Sequence, residues 1–412
     1  LTIVALETLG CKLNQAESES LAAELQGTGY GLASHHEAPD ICIVNTCTVT
    51  HIADRKSRHL LRLARKLNPK ALVVATGCYA QRSPQALAGL GADLVMGNDE
   101  KPRLLRRLLE LRPPQSDQPS HGRWPRTRSL VKIQDGCDSF CTYCIVPEVR
   151  GRERSRPPED ILADIQAKEA QGYREVILTG TKVGCYRFDG WGLRELLEQV
   201  LAQSRIERLR LSSLQPQELT PALLRLWQNP RLCRHIHLPL QSGSDAVLRR
   251  MGRGYSTADF KEAVARCRSQ IPDIAITTDI MVGFPGETAA EFEASYDLCR
   301  EAGFAAIHVF PYSARAGTPA ADMPGQVEAA IKRNRALLML ELGQESLARF
   351  QARFLGRRRE VLWEREISPG LWTGRTDNYM RVLAESRHNL SNRLMSVLLH
   401  TLKDGHLWGQ VD

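Results

Sequence analysis

The sequence predicts an α/β protein in three parts. These are an N-terminal parallel sheet with covering helices, a central full or partial (β/α) barrel, and a small antiparallel β-barrel at the C-terminus. Three observations predict it. Short apolar runs of strand length alternate with helix-length segments as far as Phe354, the pattern of parallel sheets covered by helices. A stretch rich in Pro, Gln, Ser and Arg, Arg112–Arg128, interrupts that alternation and reads as a linker. Beyond Leu355 the helical spacing ends, and alternating apolar runs separated by Gly and Asn take over.

In the first part, residues 1–111, strands are expected at Thr2–Leu6, Ile41–Val44 and Ala71–Ala75, with a fourth at Val95–Gly97. Helices are expected near Ala16–Leu25, Arg55–Leu67 and Pro102–Leu111. In the second part, residues 129–354, strands are expected at Val176–Thr179, Leu209–Leu211, Ile236–Leu238, Ile274–Thr277 and Ala306–Val309. Helices are expected at Glu159–Gln171, Leu193–Gln203, Thr257–Arg268, Glu287–Ala302 and Gln326–Phe354, with Pro157 and Pro158 suited to a helix start. Repeated βα units of this length place a site at the C-terminal ends of the strands. In the third part, residues 355–412, strands are expected at Glu360–Glu364, Tyr379–Leu383 and Met395–Leu399. Arg357, Arg358 and Arg359, with Trp363, Trp372, Tyr379 and Trp408, offer charge and stacking surfaces to nucleic acid; the plainer alternative is a barrel with an aromatic core and a solvated basic face.

Composition bounds the function classes. The chain has 412 residues, 42% hydrophobic and 25% charged, the balance of a globular protein with a sizeable core. No apolar run approaches membrane-spanning length, and no charged region followed by a short apolar one opens the chain. Neither a membrane association nor a secretion signal is expected, and the expected location is the cytoplasm. Eleven cysteines in such a chain point to reduced thiols that bind metal or react, rather than to a disulfide framework. A net charge of +8 suits a polyanionic partner such as RNA.

The cysteines carry the chemistry. Cys137, Cys141 and Cys144 form a Cys-x3-Cys-x2-Cys run with no fourth ligand nearby. Three thiolates in one loop can hold three irons of a [4Fe–4S] cluster and leave the fourth iron open, which marks a reactive site. Structural zinc competes for the reading, but it prefers four closed ligands, usually as two separated pairs. A second set stands in the first part. Cys11, Cys47 and Cys78 each follow a predicted strand of the parallel sheet, at the edge where such folds gather ligands. Convergence there would hold a second cluster. Cys42 lies inside an apolar run and reads as core, as do Cys233, Cys267 and Cys299. Cys185 follows a barrel strand and is not expected to be a ligand.

Several runs point the same way: Thr8–Glu17 around Cys11, Asn45–Val49 around Cys47, Gly77–Gln81 around Cys78, and the Cys137/Cys141/Cys144 loop. To these are added His237–Ser244, Gly283–Thr288 and Phe310–Ser313. Together they resemble the methylthiotransferases of the radical S-adenosylmethionine superfamily over essentially the whole chain, with a final segment that resembles a TRAM domain. The opening Leu9-Gly10-Cys11-Lys12-Leu13-Asn14-Gln15 is most similar to the branch acting on N6-threonylcarbamoyladenosine in tRNA. The isopentenyladenosine branch and the branch modifying a ribosomal-protein aspartate usually open differently.

The resemblance implies two [4Fe–4S] clusters, on Cys137/Cys141/Cys144 and on Cys11/Cys47/Cys78, with S-adenosyl-L-methionine as radical source and methyl donor. It implies a tRNA anticodon stem-loop as partner, an electron donor such as flavodoxin or ferredoxin, and a sulfur donor. It assigns no catalytic acid or base. Tyr143 resembles the residue whose backbone meets the adenine of the cofactor, Thr179, Gly180 and Thr181 the stretch that contacts its amino group, and Ser212 and Ser213 polar contacts at a strand end. Gln215 stands where the family commonly has Glu, which puts any carboxylate contact there in doubt. His237 and Gln241 alternate toward one side of a strand end, facing cofactor or substrate or serving as core polar groups. Gly283 and Gly286 allow close backbone approach. Arg150, Arg152, Arg154 and Arg156 read by default as a solvated basic stretch, able to grip a carboxylate or RNA phosphates. The function expected is 2-methylthiolation of threonylcarbamoyladenosine. The alternatives are isopentenyladenosine or a ribosomal protein as substrate, or an Fe–S protein that binds RNA without radical chemistry.

Overall fold

The computed structural model describes residues 1–115 and 127–411, so most of the expected linker, Arg112–Arg128, lies outside the described residues. The chain divides into two compact units. One joins the described part of Leu1–Pro125 with Asp135–Glu153 and Ser313–Ala321. The other holds the described parts of Arg126–Gln134 and Asp322–Asp412 with Arg154–Tyr312.

The first unit is built on five parallel strands: β1 (Ile3–Thr8), β2 (Gly31–Ala33), β3 (Ile41–Thr46), β4 (Leu72–Gly77) and β5 (Leu94–Met96). Their order is β2-β1-β3-β4-β5, the doubly wound arrangement in which strand order reverses between β1 and β3. Alternation along the strands explains the two layers. Cys42 and Val44 pack with Leu61 and Ala64 of helix α2 (His51–Leu67). Ile41 and Ile43 pack with Leu21 and Leu25 of helix α1 (Lys12–Gly27) and with Leu104 and Leu108 of a further helix. A strand buried on both faces reads as a continuous apolar run, which is why β3 was legible. The three-residue edge strand β2 was not expected; it is too short to carry a pattern.

The second unit begins with an open partial barrel. The strands Arg128–Lys132, Glu175–Thr179 and Arg208–Leu211 form one parallel sheet, and His235–His237, Ala275–Val282 and Ala306–Pro311 another. Parallel bridges Leu209–Leu232 and Ser213–His237 join them into one curved wall. Helices Pro158–Ala170, Leu193–Gln203, Thr257–Gln270, Ala289–Ala302 and Ala329–Ala352 cover it. Their starts follow capping rules: Ser256 with Asp259 and Thr288 with Glu291 form reciprocal capping boxes, and Gly303 ends its helix at φ +55°.

The C-terminal strands Arg358–Ser368, Leu371–Thr376, Arg381–Glu385, Leu394–Lys403 and His406–Gln410 close into a barrel. Four of its pairings are antiparallel, as expected, but Arg381–Glu385 pairs with His406–Gln410 in parallel. The structure decides between the two readings of its aromatic residues. Trp363 and Trp372 are core residues packed with Val361, Val382 and Val397, so they present no stacking face. Tyr379 stands at φ +70° in a turn and stacks on His235 at 4.5 Å between ring centroids, beneath the guanidinium groups of Arg210 and Arg375.

That turn belongs to a buried charge cluster. Glu175 is the cross-strand partner of Arg128 on one side and Arg208 on the other, and it accepts from Arg210 Nε at 2.7 Å. Arg210 and Arg208 also donate to the C-terminal barrel, at Asp377 O and Glu360 O. Burial opposes ionisation of Glu175, yet Arg210, Arg128 and Arg208 hold its carboxyl down at about 2, from an ordinary value of 4.5. A depressed carboxyl contributes stability above its unfolded pKa and loses it as pH falls through the folded value, here between 4.5 and about 2. Glu175→Gln is expected to lower stability at neutral pH by about 3–5 kcal/mol, because buried guanidinium groups are left uncompensated. The same variant should lose one carboxyl's contribution to the acid-side slope between pH 4.5 and about 2. Chemical denaturation across that pH range checks both.

Candidate cluster and cofactor site

In the first unit, backbone topology sets the three cysteines of the N-terminal set at adjoining strand ends. Cys11 follows β1 and caps the N-terminus of α1, Cys47 follows β3, and Cys78 follows β4 at the start of a short helix. Asn14 donates to Leu9 O and Thr46 O, and Asn45 donates to Asn14 O. Thr46 donates to Thr76 O and accepts from the Ala80 amide. These side chains lash the three loops to one another. A Cβ on Gly10 would stand 2.8 Å from Cys47 Sγ, so only glycine lets the two loops approach this closely at φ +97°.

The electrostatics fit a cation. Burial pushes the Cys47 thiol up to about 12, and the neighbouring Cys78 and Cys11 push the same way. Burial also raises Cys11, although the residue keeps accessible surface; Arg150 and the amides of Asn14 and Leu13 act against the rise. Three sulfurs close enough to disfavour one another's ionisation, with no disulfide among the described cysteines, form a donor set that a metal cluster satisfies by supplying positive charge.

The second cysteine set lies in the same unit. The Cys137 amide donates to Gly151 O, the Cys144 amide to Cys141 O, and the Ser139 amide lies 3.4 Å from Cys137 Sγ. Ala320 N reaches Thr142 O and so braces the loop from the Ser313–Ala321 segment. Tyr143 lies within this loop, between Cys141 and Cys144. Gly136 enters it at φ +72°, where a Cβ would stand 1.9 Å from Arg152 O. A short helix, Val146–Arg150, follows the loop, and its Val149, with Ile145, packs on Cys78. Thus both sets of cysteines meet one packed element.

Arg150 was expected in a solvated basic stretch, and the structure corrects this. It is only 3% exposed and donates to Glu17 Oε1 at 3.0 Å, Asp135 Oδ1 at 3.0 Å and Asn14 Oδ1. Arg152 is exposed beside Asp138, and Arg156 pairs with Asp164. Arg315 escaped the sequence reading altogether. It is fully buried and donates to Thr48 Oγ1 and Asp54 Oδ2, just after Cys47. The only signal was its closeness to the Phe310–Ser313 run.

The remaining candidates stand in the second unit, at strand ends. Thr179 ends its strand, and its carbonyl accepts from Ile133 N. A Cβ on Gly180 would meet Gln134 O at 2.8 Å. Thr181 Oγ1 and Ser212 Oγ are buried with no hydrogen-bond partner among the described residues, a state that a polar ligand would relieve. Ser213 bridges to His237. Gln241 holds φ +68° between the Asp279 carbonyl and the Met281 amide, a strained conformation for a side chain of its size. Gly283 turns at φ +70°, where a Cβ would meet Lys332 at 2.4 Å. Gln215 Oε1 accepts from Arg253, and the nearby carboxylate is Glu218, which borders a cleft of about 520 Å³ with Lys182, Cys185 and Arg187. The partnerless hydroxyls of Thr181 and Ser212 suit a polar ligand at these strand ends, while the space beside Gly180 and Gly283 is taken by Gln134 and Lys332.

Comparison with known proteins agrees. A model of the radical SAM superfamily matches residues 131–299, and one of the uncharacterized protein family UPF0004 matches residues 3–97. The threonylcarbamoyladenosine tRNA methylthiotransferase MtaB of Thermotoga maritima is 38% identical, over 92% of this chain and 90% of its own. The MtaB of Bacillus subtilis is 33% identical over 100% and 96%. The tRNA-2-methylthio-N(6)-dimethylallyladenosine synthase of Moorella thermoacetica is 36% identical over 98% and 97%. Among solved structures, the radical S-adenosylmethionine methyltransferase TsrM of Kitasatospora setae, with cobalamin and a [4Fe-4S] cluster bound, shares the fold. Its TM-score is 0.58 at 18% identity, covering 78% of this chain and 77% of that one.

Gly136→Ala is expected to disorder the Cys137/Cys141/Cys144 loop and to remove about half of the protein's reconstituted iron, leaving the Cys11 set loaded. Gly172→Ala, at φ +80° with open space around its Cβ, is the control and should cost about 1 kcal/mol with iron unchanged. Iron analysis with cluster absorption checks this.

Proposed function

Since the chain belongs to the methylthiotransferase family of the radical S-adenosylmethionine superfamily, we propose that it converts N6-threonylcarbamoyladenosine, next to the anticodon of tRNA, to its 2-methylthio derivative. The observation that carries the reading is the presence of both cysteine sets in one compact unit, joined through Arg150 and the Cys78–Val149 contact. Methylthiolation needs a radical source and a sulfur source that act on one carbon, and two cluster sites in one packed unit supply that pairing.

The family's cofactors are S-adenosyl-L-methionine and [4Fe–4S] clusters, which when bound supply the radical and the methylated sulfur. Cys137, Cys141 and Cys144 would hold one cluster with an open iron, and Cys11, Cys47 and Cys78 the other. Tyr143 would present its backbone to the cofactor adenine. Thr179, Gly180 and Thr181, with Ser212, Ser213, Gln241 and Gly283, would line the cofactor, and His237 stands beside them as a candidate ligand of an ion instead. The described N-terminal sheet would serve as the sulfur-bearing domain, and the C-terminal barrel as a TRAM-like RNA-docking domain through its exposed Arg357 and Arg358. A flavodoxin or ferredoxin would deliver electrons and a separate donor the sulfur, in the cytoplasm. No helix among the described residues is long and apolar enough to cross a membrane.

The substrate assignment rests on the Leu9–Gln15 opening and on the names of several relatives. Overall identity does not separate the branches, since a dimethylallyladenosine relative stands at 36% beside MtaB relatives at 33% and 38%. Anaerobically reconstituted protein, given S-adenosylmethionine, reductant, sulfide and tRNA bearing threonylcarbamoyladenosine, is expected to add one methylthio mass to that nucleoside. Cys137→Ala should abolish 5′-deoxyadenosine formation. Cys11→Ala should keep it and lose the methylthio product. Nucleoside mass spectrometry reads both, and product on isopentenyladenosine or a ribosomal protein alone would overturn the substrate.

A further inference from the structure

We propose that His237, Asp279 and His308 form a binding site for a divalent transition-metal cation, separate from both cysteine sets. The three residues stand on three adjacent parallel strands. Register places them on one face. His237 is the cross-strand partner of Thr277, Asp279 lies two residues beyond Thr277, and His308 is the partner of Asp279. One ligand atom from each lies within 4.8 Å of the others, and His237 Nε2 is 3.3 Å from Asp279 Oδ2. An ion with bonds of about 2.1 Å in tetrahedral geometry sets its ligand atoms roughly 3.4 Å apart. The two imidazole centroids are 5.6 Å apart, close to the roughly 5 Å expected when two rings share such an ion.

The surrounding hydrogen bonds suit ligation. His237 Nδ1 lies 2.9 Å from Thr277 Oγ1, which lies 3.1 Å from His235 Nε2. With Nδ1–H donating to the threonine oxygen and the threonine hydroxyl donating to His235, the lone pair of His237 Nε2 is free to face Asp279 and His308. An outer partner that fixes the tautomer of a ligating histidine is a regular feature of metal sites. A simple ion pair between His237 and Asp279 would not require a second imidazole on the same face. Two neutral nitrogens and one carboxylate favour Zn²⁺, Fe²⁺ or Mn²⁺ over Ca²⁺ or Mg²⁺. Three protein ligands leave coordination positions open to water or to an anionic oxygen such as a carboxylate. His308 is exposed, which gives the ion an entry path. This inference does not rest on the reaction proposed above.

The test uses holoprotein with both clusters assembled and oxidised, passed over a chelator and titrated anaerobically with Mn²⁺. Mn²⁺ has little affinity for thiolates, and its six-line EPR signal reports the free ion. One tightly bound Mn²⁺ per chain, displaced by Zn²⁺, is expected. Asp279→Asn and His308→Ala should abolish tight binding, and Thr277→Val should weaken it about tenfold or more. Cluster absorption reports whether each variant is folded. The near-isosteric Asp279→Asn and Thr277→Val carry the test should His308→Ala lose its clusters. Absence of tight Mn²⁺ in the wild type, or equal binding in the folded variants, would overturn the site.

Discussion

The buried guanidinium of Arg150 is the contact on which the first unit depends. It leaves the helix that follows the Cys137/Cys141/Cys144 loop and ends among Asn14, Glu17 and Asp135. Asn14 in turn holds the loops after β1 and β3. Burial works against the charge, but Glu17, Cys78, Asp135 and Cys11 all favour it, so the guanidinium is held firmly ionised. A fully desolvated arginine is tolerated only where its partners are complete. Its partners come from both chain segments that carry cysteines, so this one desolvated charge is stable only when the two segments pack correctly.

The second unit solves a related problem at the N-terminal ends of its strands. Charged side chains fill that end of the partial barrel, where a small apolar core would otherwise be expected. Glu175 is surrounded by arginines from neighbouring strands, and Arg208 and Arg210 donate further to carbonyls of the C-terminal barrel. The C-terminal barrel is therefore joined to the partial barrel by buried hydrogen bonds and ion pairs as well as by apolar contact. At the opposite ends of the strands lie Thr181 and Ser212, with hydroxyls that have no partner among the described residues. One end of the wall is packed with paired charges and the other carries those partnerless hydroxyls, which is the polarity expected of a scaffold that binds at its strand C-termini.

Much of this was legible in the sequence, and the reasons for the rest are physical. Runs buried on both faces, such as Ile41–Thr46, and helices with reciprocal caps, such as Thr257–Gln270, announce themselves locally. The cysteine positions at strand ends were legible because topology alone sets them. Short edge elements such as Gly31–Ala33 were not, since three residues carry no period. Arg150 and Arg315 were missed because nothing local distinguishes a buried arginine from a solvated one. Their environment is made by Glu17, Asp135, Thr48 and Asp54, remote in sequence. For Trp363 and Trp372 the sequence left two readings open, because aromatic residues suit both a stacking surface and a barrel core, and only closure of the barrel decides for the core.

The Cys11, Cys47 and Cys78 arrangement carries its own argument about loading. Without metal, burial and the neighbouring sulfurs raise the Cys11 and Cys47 thiols, and Arg150 offsets only part of that. The same arrangement in contact with a cationic iron cluster reverses sign, because the low-dielectric surroundings that penalise a bare thiolate strengthen its attraction to the metal. Loading would therefore release protons from the thiols. Rigid loops, tied by Asn14, Asn45 and Thr46, hold the thiols together whether or not they are charged. The hydrogen bonds thus fix the convergence of the three cysteines independently of any metal, and that preorganisation is what would let three residues dispersed in sequence serve as one ligand set.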